Sequence, residues 1–299
     1  MFNDIIGNDK IKNELKQTIE LNKISHSYLF IGTEGIGKKL FAKEFAKMIL
    51  CLDENKYCNR CNSCIEFDSN NNPDFVQIEP DGNSIKIEQI RELQRKIIEA
   101  PITSNKKVYI INNADLMTRE AQNCLLKTLE EPPEFVVLIL IGSVENNFLS
   151  TIKSRCTILK FQDISKEEIK KYLKEKYEME NITDNMLEIF QGSIGRAEKL
   201  KDKQELYDSI YSVINEVKQS NIIEILQKAD IIYKSQDEKF EILEYMNIIC
   251  FNKSKDDIRY INCIDIIEET KKRLKSNSNY NMCIDNMLFK IWEEMHWKI

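Results

Sequence analysis

The sequence predicts an α/β domain built on a parallel sheet, followed by all-helical domains. Three observations carry that expectation. Short apolar runs alternate with amphipathic helical patterns through the first half, as a doubly wound parallel sheet requires. A glycine loop, Gly32-Thr33-Glu34-Gly35-Ile36-Gly37-Lys38-Lys39, stands between one such run and one such helix. All five prolines lie at or before Pro133 and the last glycine is Gly195, so residues 196–299 hold neither helix breaker. Such a tail is most simply helices packed on helices.

Composition narrows the class. A chain of 299 residues is long enough for about two or three domains. Charged residues are 31% and apolar residues 42%, the balance of a soluble globular protein. The net charge of −6 argues against this chain alone gripping DNA non-specifically, and leaves a local basic patch open. No apolar run approaches the roughly 20 residues of a membrane span. The opening Met1-Phe2-Asn3-Asp4 has no signal-peptide pattern. Nine cysteines without a secretion signal suggest reduced thiols or a metal site. A cytoplasmic location is expected.

Taken in order, Ile11, Leu15 and Ile19 fall on one face of a first helix. The apolar run 28–31 precedes the glycine loop, and Phe41, Phe45, Met48 and Ile49 mark a helix from Lys38 to Leu50. Strand, glycine loop, helix is the context of a phosphate-binding loop. Gly32, Gly35 and Gly37 would let backbone N–H groups turn onto a phosphate at the helix N-terminus, and Lys38 would reach the terminal phosphates. A working loop next places Ser or Thr to hold magnesium. This chain has Lys39, which offers the metal no acceptor and adds a competing cation. A plain glycine turn before a core helix is the other reading of the same residues.

Four cysteines follow within one short segment: Cys51, Cys58, Cys61 and Cys64. The two CxxC steps share Cys61, a spacing that lets thiolates converge on one tetrahedral zinc. An iron–sulfur cluster is the rival, but Ile65-Glu66 follows Cys64 where that pattern needs a further Cys before Pro. Cys51 is the weakest of the four ligands, because it can simply end the preceding helix. Four sulfurs would close the shell, so the expected metal is structural.

Residues 74–79 alternate like a strand, and residues 86–98 carry the helical face Ile87, Ile90, Leu93, Ile97 and Ile98, closed by Pro101. Residues 108–111 read as a buried strand ending in Asn112-Asn113. A phosphate-loop motor carries Asp then Glu at this strand end, for magnesium and for the attacking water. An amide accepts a hydrogen bond but has no charge for either task. Alone, the pair is equally consistent with a strand outside any nucleotide site. Thr118 can cap a helix running to Glu130, ended by Pro132-Pro133. A continuous apolar strand (135–141), the segment Ser150–Cys156 and a last strand (157–161) complete the sheet. Ser165 and Glu168 form a capping box, and the Lys/Glu run 166–176 reads as a solvated helix face.

Several of these stretches together resemble one family. Ile5-Ile6-Gly7, His26-Ser27-Tyr28-Leu29-Phe30, the glycine loop, the four cysteines, Asn123-Cys124-Leu125-Leu126-Lys127-Thr128-Leu129-Glu130-Glu131-Pro132-Pro133 and Ser154-Arg155-Cys156 are similar, in order and spacing, to the bacterial DNA polymerase III clamp loaders. The likeness covers roughly residues 2–200. It implies an AAA+ sheet domain over 1–162 with the cysteine insertion at 51–64. It also implies a small helical lid over 163–203 and a helical collar over 204–299 that assembles subunits.

Within that family the motor subunits carry Ser/Thr after the loop lysine, Asp-Glu at the strand end and Gly-Ser-x-Arg in the lid. This chain departs at Lys39, Asn112 and Asn113, and places Gly195 where the lid arginine would stand, with Arg196 one later. The resemblance therefore implies the non-hydrolysing stator, with zinc as structural metal and ATP binding doubtful. It gives Arg155 the role of an arginine finger supplied to a neighbour's ATP site, where the residue alone would read as a surface ion pair. The implied partners are the gamma/tau motor subunits and the delta subunit, with the beta sliding clamp and primed DNA reached through the complex. An ATP-hydrolysing gamma/tau-like motor subunit of the same complex, or another AAA+ ATPase, is the alternative.

Overall fold

Five strands form one parallel sheet in a computed structural model of the chain, which describes residues 2, 5–54, 56–180 and 182–297. Met1, Asn3 and Asp4, read above for a signal pattern, lie outside the described residues. The strands are β1 (Ser27–Ile31), β2 (Phe75–Ile78), β3 (Lys107–Ile111), β4 (Val136–Gly142) and β5 (Thr157–Lys160), in the spatial order β2-β3-β4-β1-β5. Leu29 at the centre stands beside Leu140 of β4 and Ile158 of β5. Connecting parallel strands needs crossovers. These are α2 (Lys38–Leu50) and α3 (Asn62–Asp68), then α4 (Ile87–Ile97), α5 (Arg119–Glu130) and α6 (Ser150–Lys153), with α1 (Asp9–Glu20) ahead of β1.

The continuous apolar strands are buried because both sheet faces are covered. Successive side chains point to opposite faces. Phe30, Val108, Ile110, Ile139 and Ile141 pack on one side with Leu15 of α1 and with Phe41 and Phe45 of α2. Leu29, Tyr109, Ile111, Leu138 and Leu140 pack on the other with Ile90 and Leu93 of α4 and with Leu125 and Leu129 of α5. The helix over 38–50 has the bounds its periodicity predicted. Thr118 accepts from the Ala121 N–H at 3.2 Å and starts α5 as expected. The segment 150–153 forms a helix of one turn, too short for its apolar spacing to reveal.

The chain divides into two compact units, Met1–Lys171 with Gly192–Gly195, and Tyr172–Gln191 with Arg196–Ile299. The helix α7 (Lys166–Tyr177) begins with the expected capping box, Ser165 N–H donating to Glu168 Oε2 at 3.1 Å and Glu168 N–H to Ser165 Oγ at 3.2 Å. The second unit is helical: α8 (Asp184–Phe190), α9 (Ile194–Leu200), α10 (Gln204–Glu216), α11 (Ile222–Lys228), α12 (Asp230–Lys234), α13 (Lys239–Lys253), α14 (Arg259–Lys275) and α15 (Tyr280–Trp297). Its core holds Tyr207, Ile210, Tyr245, Met246, Cys263, Ile267, Met287 and Ile291, with the Tyr207 and Tyr245 rings edge to face at 5.2 Å. No helix among the described residues is long and apolar enough to cross a membrane.

Candidate functional site

The carboxyl ends of β1, β3 and β4 meet beside the glycine loop, where open parallel sheets hold ligands. A cavity of about 260 Å³ there is lined by Glu34, Gly35, Gly37, Lys38, Lys39, Leu40, Asn112, Asn113, Ile141 and Ser143. It is smaller than the usual small-molecule site of about 300–1,000 Å³. Six of the seven residues expected at a degenerate nucleotide site line it, and Gly32 lies at the start of the same loop. Gly37 takes φ +95° to begin α2, a conformation that favours glycine.

Lys38 is buried and bends back over its own loop. Its Nζ donates to Thr33 O at 2.8 Å and to Gly32 O, and lies 3.4 Å from Ser143 Oγ. Burial pushes its pKa down to about 8, while Asp115 and Glu34 pull it back up. Asp115 sits in a short turn (Ala114–Leu116) and accepts from the Ser143 and Val144 N–H groups at 3.1 and 3.0 Å. It thereby ties the end of β3 to the end of β4. On the open side, the Gly195 N–H donates to Gly35 O at 2.9 Å. A Cβ on residue 195 would lie 3.1 Å from Gly35 Cα, so a side chain there would require the loop to give by a few tenths of an ångström. Arg196 is engaged elsewhere, with Glu244 at 3.3 Å in the second unit.

Lys39 has a partner the sequence did not suggest. Its Nζ lies 2.8 Å from Glu79 Oε1, and Glu79 Oε2 accepts from Asn112 Nδ2 at 2.8 Å. Gln77 donates to the same carboxylate. Burial pushes the Glu79 carboxyl up, but the bonds from Lys39 and Asn112 outweigh it and hold it below its ordinary range. An ammonium–carboxylate–amide chain therefore runs along the edge of this cavity, through its lining residues Lys39 and Asn112. Glu79 follows β2, whose parallel partner is β3. Its place beside Asn112 could have been inferred only from that pairing.

Arg155 lies between α6 and β5, away from the loop residues lining the cavity. Its Nη2 is 2.7 Å from Glu130 Oε1, and its Nη1 donates to Thr151 O at 2.9 Å and Ser154 Oγ at 3.3 Å. Cys156 packs against the core cluster that holds Leu125, Leu129 and Ile152, and burial pushes its thiol up to about 12.

The four cysteines come together. Their sulfurs all lie within 4.8 Å of one another, and Cys51 Sγ is 3.6 Å from Cys58 Sγ. A disulfide would need about 2.05 Å. Four sulfurs about 2.3 Å from a tetrahedral zinc stand about 3.8 Å apart, so the set fits a metal. Cys51 both ends α2 and joins the cluster, and Cys61 caps α3. Backbone N–H groups, of Arg60 first, lower the Cys58 thiol to about 6, whereas burial raises Cys64. Ser63 anchors the insertion inward. Its Oγ is 2.8 Å from Ser104 Oγ and accepts from Asn72 at 3.0 Å. Nearby, buried Asp74 accepts from the Ile102, Thr103 and Ser104 N–H groups at 2.7, 2.8 and 2.7 Å.

Known proteins are similar to this chain in sequence. The DNA polymerase III subunit delta' of Bacillus subtilis is 35% identical over 217 residues, 70% of this chain and 65% of that protein. The gamma/tau subunit of Mycoplasma pneumoniae is also 35% identical, over 213 residues, 70% of this chain and 31% of that protein. The chain thus spans less than two thirds of these relatives' own lengths. A crystal structure of a gamma subunit-related protein from Thermotoga maritima superposes with a TM-score of 0.48 at 18% identity, covering 94% of this chain and 99% of that one. The profile of the family described as "DNA polymerase III, delta subunit" matches residues 7–165, more than half of the sequence. The chain belongs to that DNA polymerase III clamp-loader family.

Proposed function

We propose that the chain is a delta-prime-type stator of the bacterial clamp loader, helping to place the beta sliding clamp on primed DNA. In this reading its own ATP site is silent and Arg155 serves as the arginine finger of a neighbouring motor subunit. The observation that carries it is the Lys39–Glu79–Asn112 chain, which sets a tethered ammonium where magnesium would have to sit. Lys38, turned onto Gly32 and Thr33, and Gly195, seated on Gly35, support the same reading. Cys51, Cys58, Cys61 and Cys64 hold a structural zinc. The second unit comprises a lid, within 163–203, and a collar over 204–299 that meets the gamma/tau and delta subunits in the cytoplasm.

Two measurements test this. The purified chain with magnesium and ATP is expected to show no turnover, and a rate of ~1 per second or faster would overturn the silent site. The Arg155→Ala chain, assembled with the motor and delta subunits, is expected to lower clamp- and DNA-stimulated ATPase at the adjoining site. A trans arginine supplies roughly 10³–10⁵ in rate in related enzymes, and unchanged activity would remove Arg155 from the mechanism. The equal identity to a gamma/tau subunit favours a second reading, an ATP-hydrolysing motor, which the first measurement separates.

A further inference from the structure

We infer that Glu130 is the positioning residue that holds Arg155 ready for the neighbouring site, an inference that rests on the role just proposed for Arg155. The helix α5 ends at Glu130 because Pro132 and Pro133 follow. Leu125 and Leu129 are buried one turn and one residue before it, so the place of Glu130 is set by core packing. Its Oε1 takes one hydrogen of Arg155 Nη2 at 2.7 Å. Thr151 O and Ser154 Oγ take both hydrogens of Nη1. The guanidinium has five N–H donors, and three are thereby committed.

What remains is the Nε–H and one Nη2–H, without a partner among the described residues. A guanidinium held on one side and open on the other can meet phosphoryl oxygens with two parallel bonds. An unrestrained arginine would have to lose its rotamer freedom at the moment of reaction, whereas this one has lost it beforehand. The two side chains remain 33% and 51% exposed, and an ion pair so exposed adds little to folding. Stability therefore does not explain the pair well, and removing the carboxylate should leave the fold intact.

The test uses the complete chain assembled with the motor and delta subunits, reading steady-state ATP hydrolysis with clamp and primed DNA present. Glu130→Ala is expected to lower kcat roughly tenfold, with KM for ATP within about twofold and the assembled complex eluting unchanged. Glu130→Asp should recover part of the loss. Should Glu130→Ala chains fail to assemble, Glu130→Gln keeps the shape and one acceptor oxygen, and is expected to lower kcat about threefold. Wild-type kcat in both Glu130 variants alongside a crippled Arg155→Ala complex would overturn the role of Glu130 alone. A rise in kcat would also overturn it, making Glu130 a restraint. An unaffected Arg155→Ala complex would instead overturn the reading of Arg155 itself.

Discussion

Lys38 shows how one buried side chain can report the state of the loop. An unfolded chain would keep this amine protonated to about pH 10.5, whereas burial in the fold brings its pKa to about 8. Between those values the unfolded chain binds more protons, so stability rises with pH across that window through this group. The gain is at most roughly 3 kcal/mol. Urea midpoints from pH 7.5 to 10.5 should therefore climb in the wild type relative to Lys38→Met, and parallel curves would place the amine in water. Asp74 is a second case. Its carboxylate satisfies three backbone N–H groups at 2.7, 2.8 and 2.7 Å. Replacing it by Asn leaves at least one of these unpaired in a buried place, and is expected to cost about 2–4 kcal/mol in urea unfolding.

Among the elements, the insertion from Cys51 to Cys64 depends most on something beyond its own residues. It contributes little to the core besides Cys51 and Cys64 themselves, so ligand bonds would supply the energy that burial does not. One zinc per chain is expected by metal analysis. Removing it with a chelator, or introducing Cys64→Ser, should speed amide exchange over 51–68 while β1 and β3 stay protected. Protection unchanged after metal removal would show the thiols to be merely packed. The α5 helix illustrates the opposite case, with its start at Thr118, its buried stripe and its proline stop all local.

At the scale of the whole molecule, the sheet unit and the helical unit suit a subunit that works by assembly. Gel filtration with delta and motor subunits is expected to give one five-subunit peak containing this chain. Arg155→Ala should leave that peak in place, since its ion pair with Glu130 is exposed and adds little to folding. Loss of the peak in the wild type would remove the stator reading.

Much of this was legible from local pattern. The glycine loop, the helix it opens, the alternating strands, the cysteine spacing and the helical tail each follow from neighbours a few residues apart, and local sterics and periodicity set them. The partners of the unusual residues were not legible. Glu79 meets Lys39 and Asn112, Glu130 meets Arg155, and Gly195 meets Gly35, all across long stretches of chain. The sequence by itself determined that an ammonium, Lys39, and two amides, Asn112 and Asn113, stand at the positions where the resemblance expects a hydroxyl and two carboxylates. Only the tertiary structure decided that an internal ion pair takes up that place, because strand order and register bring β2 beside β3 and the glycine loop.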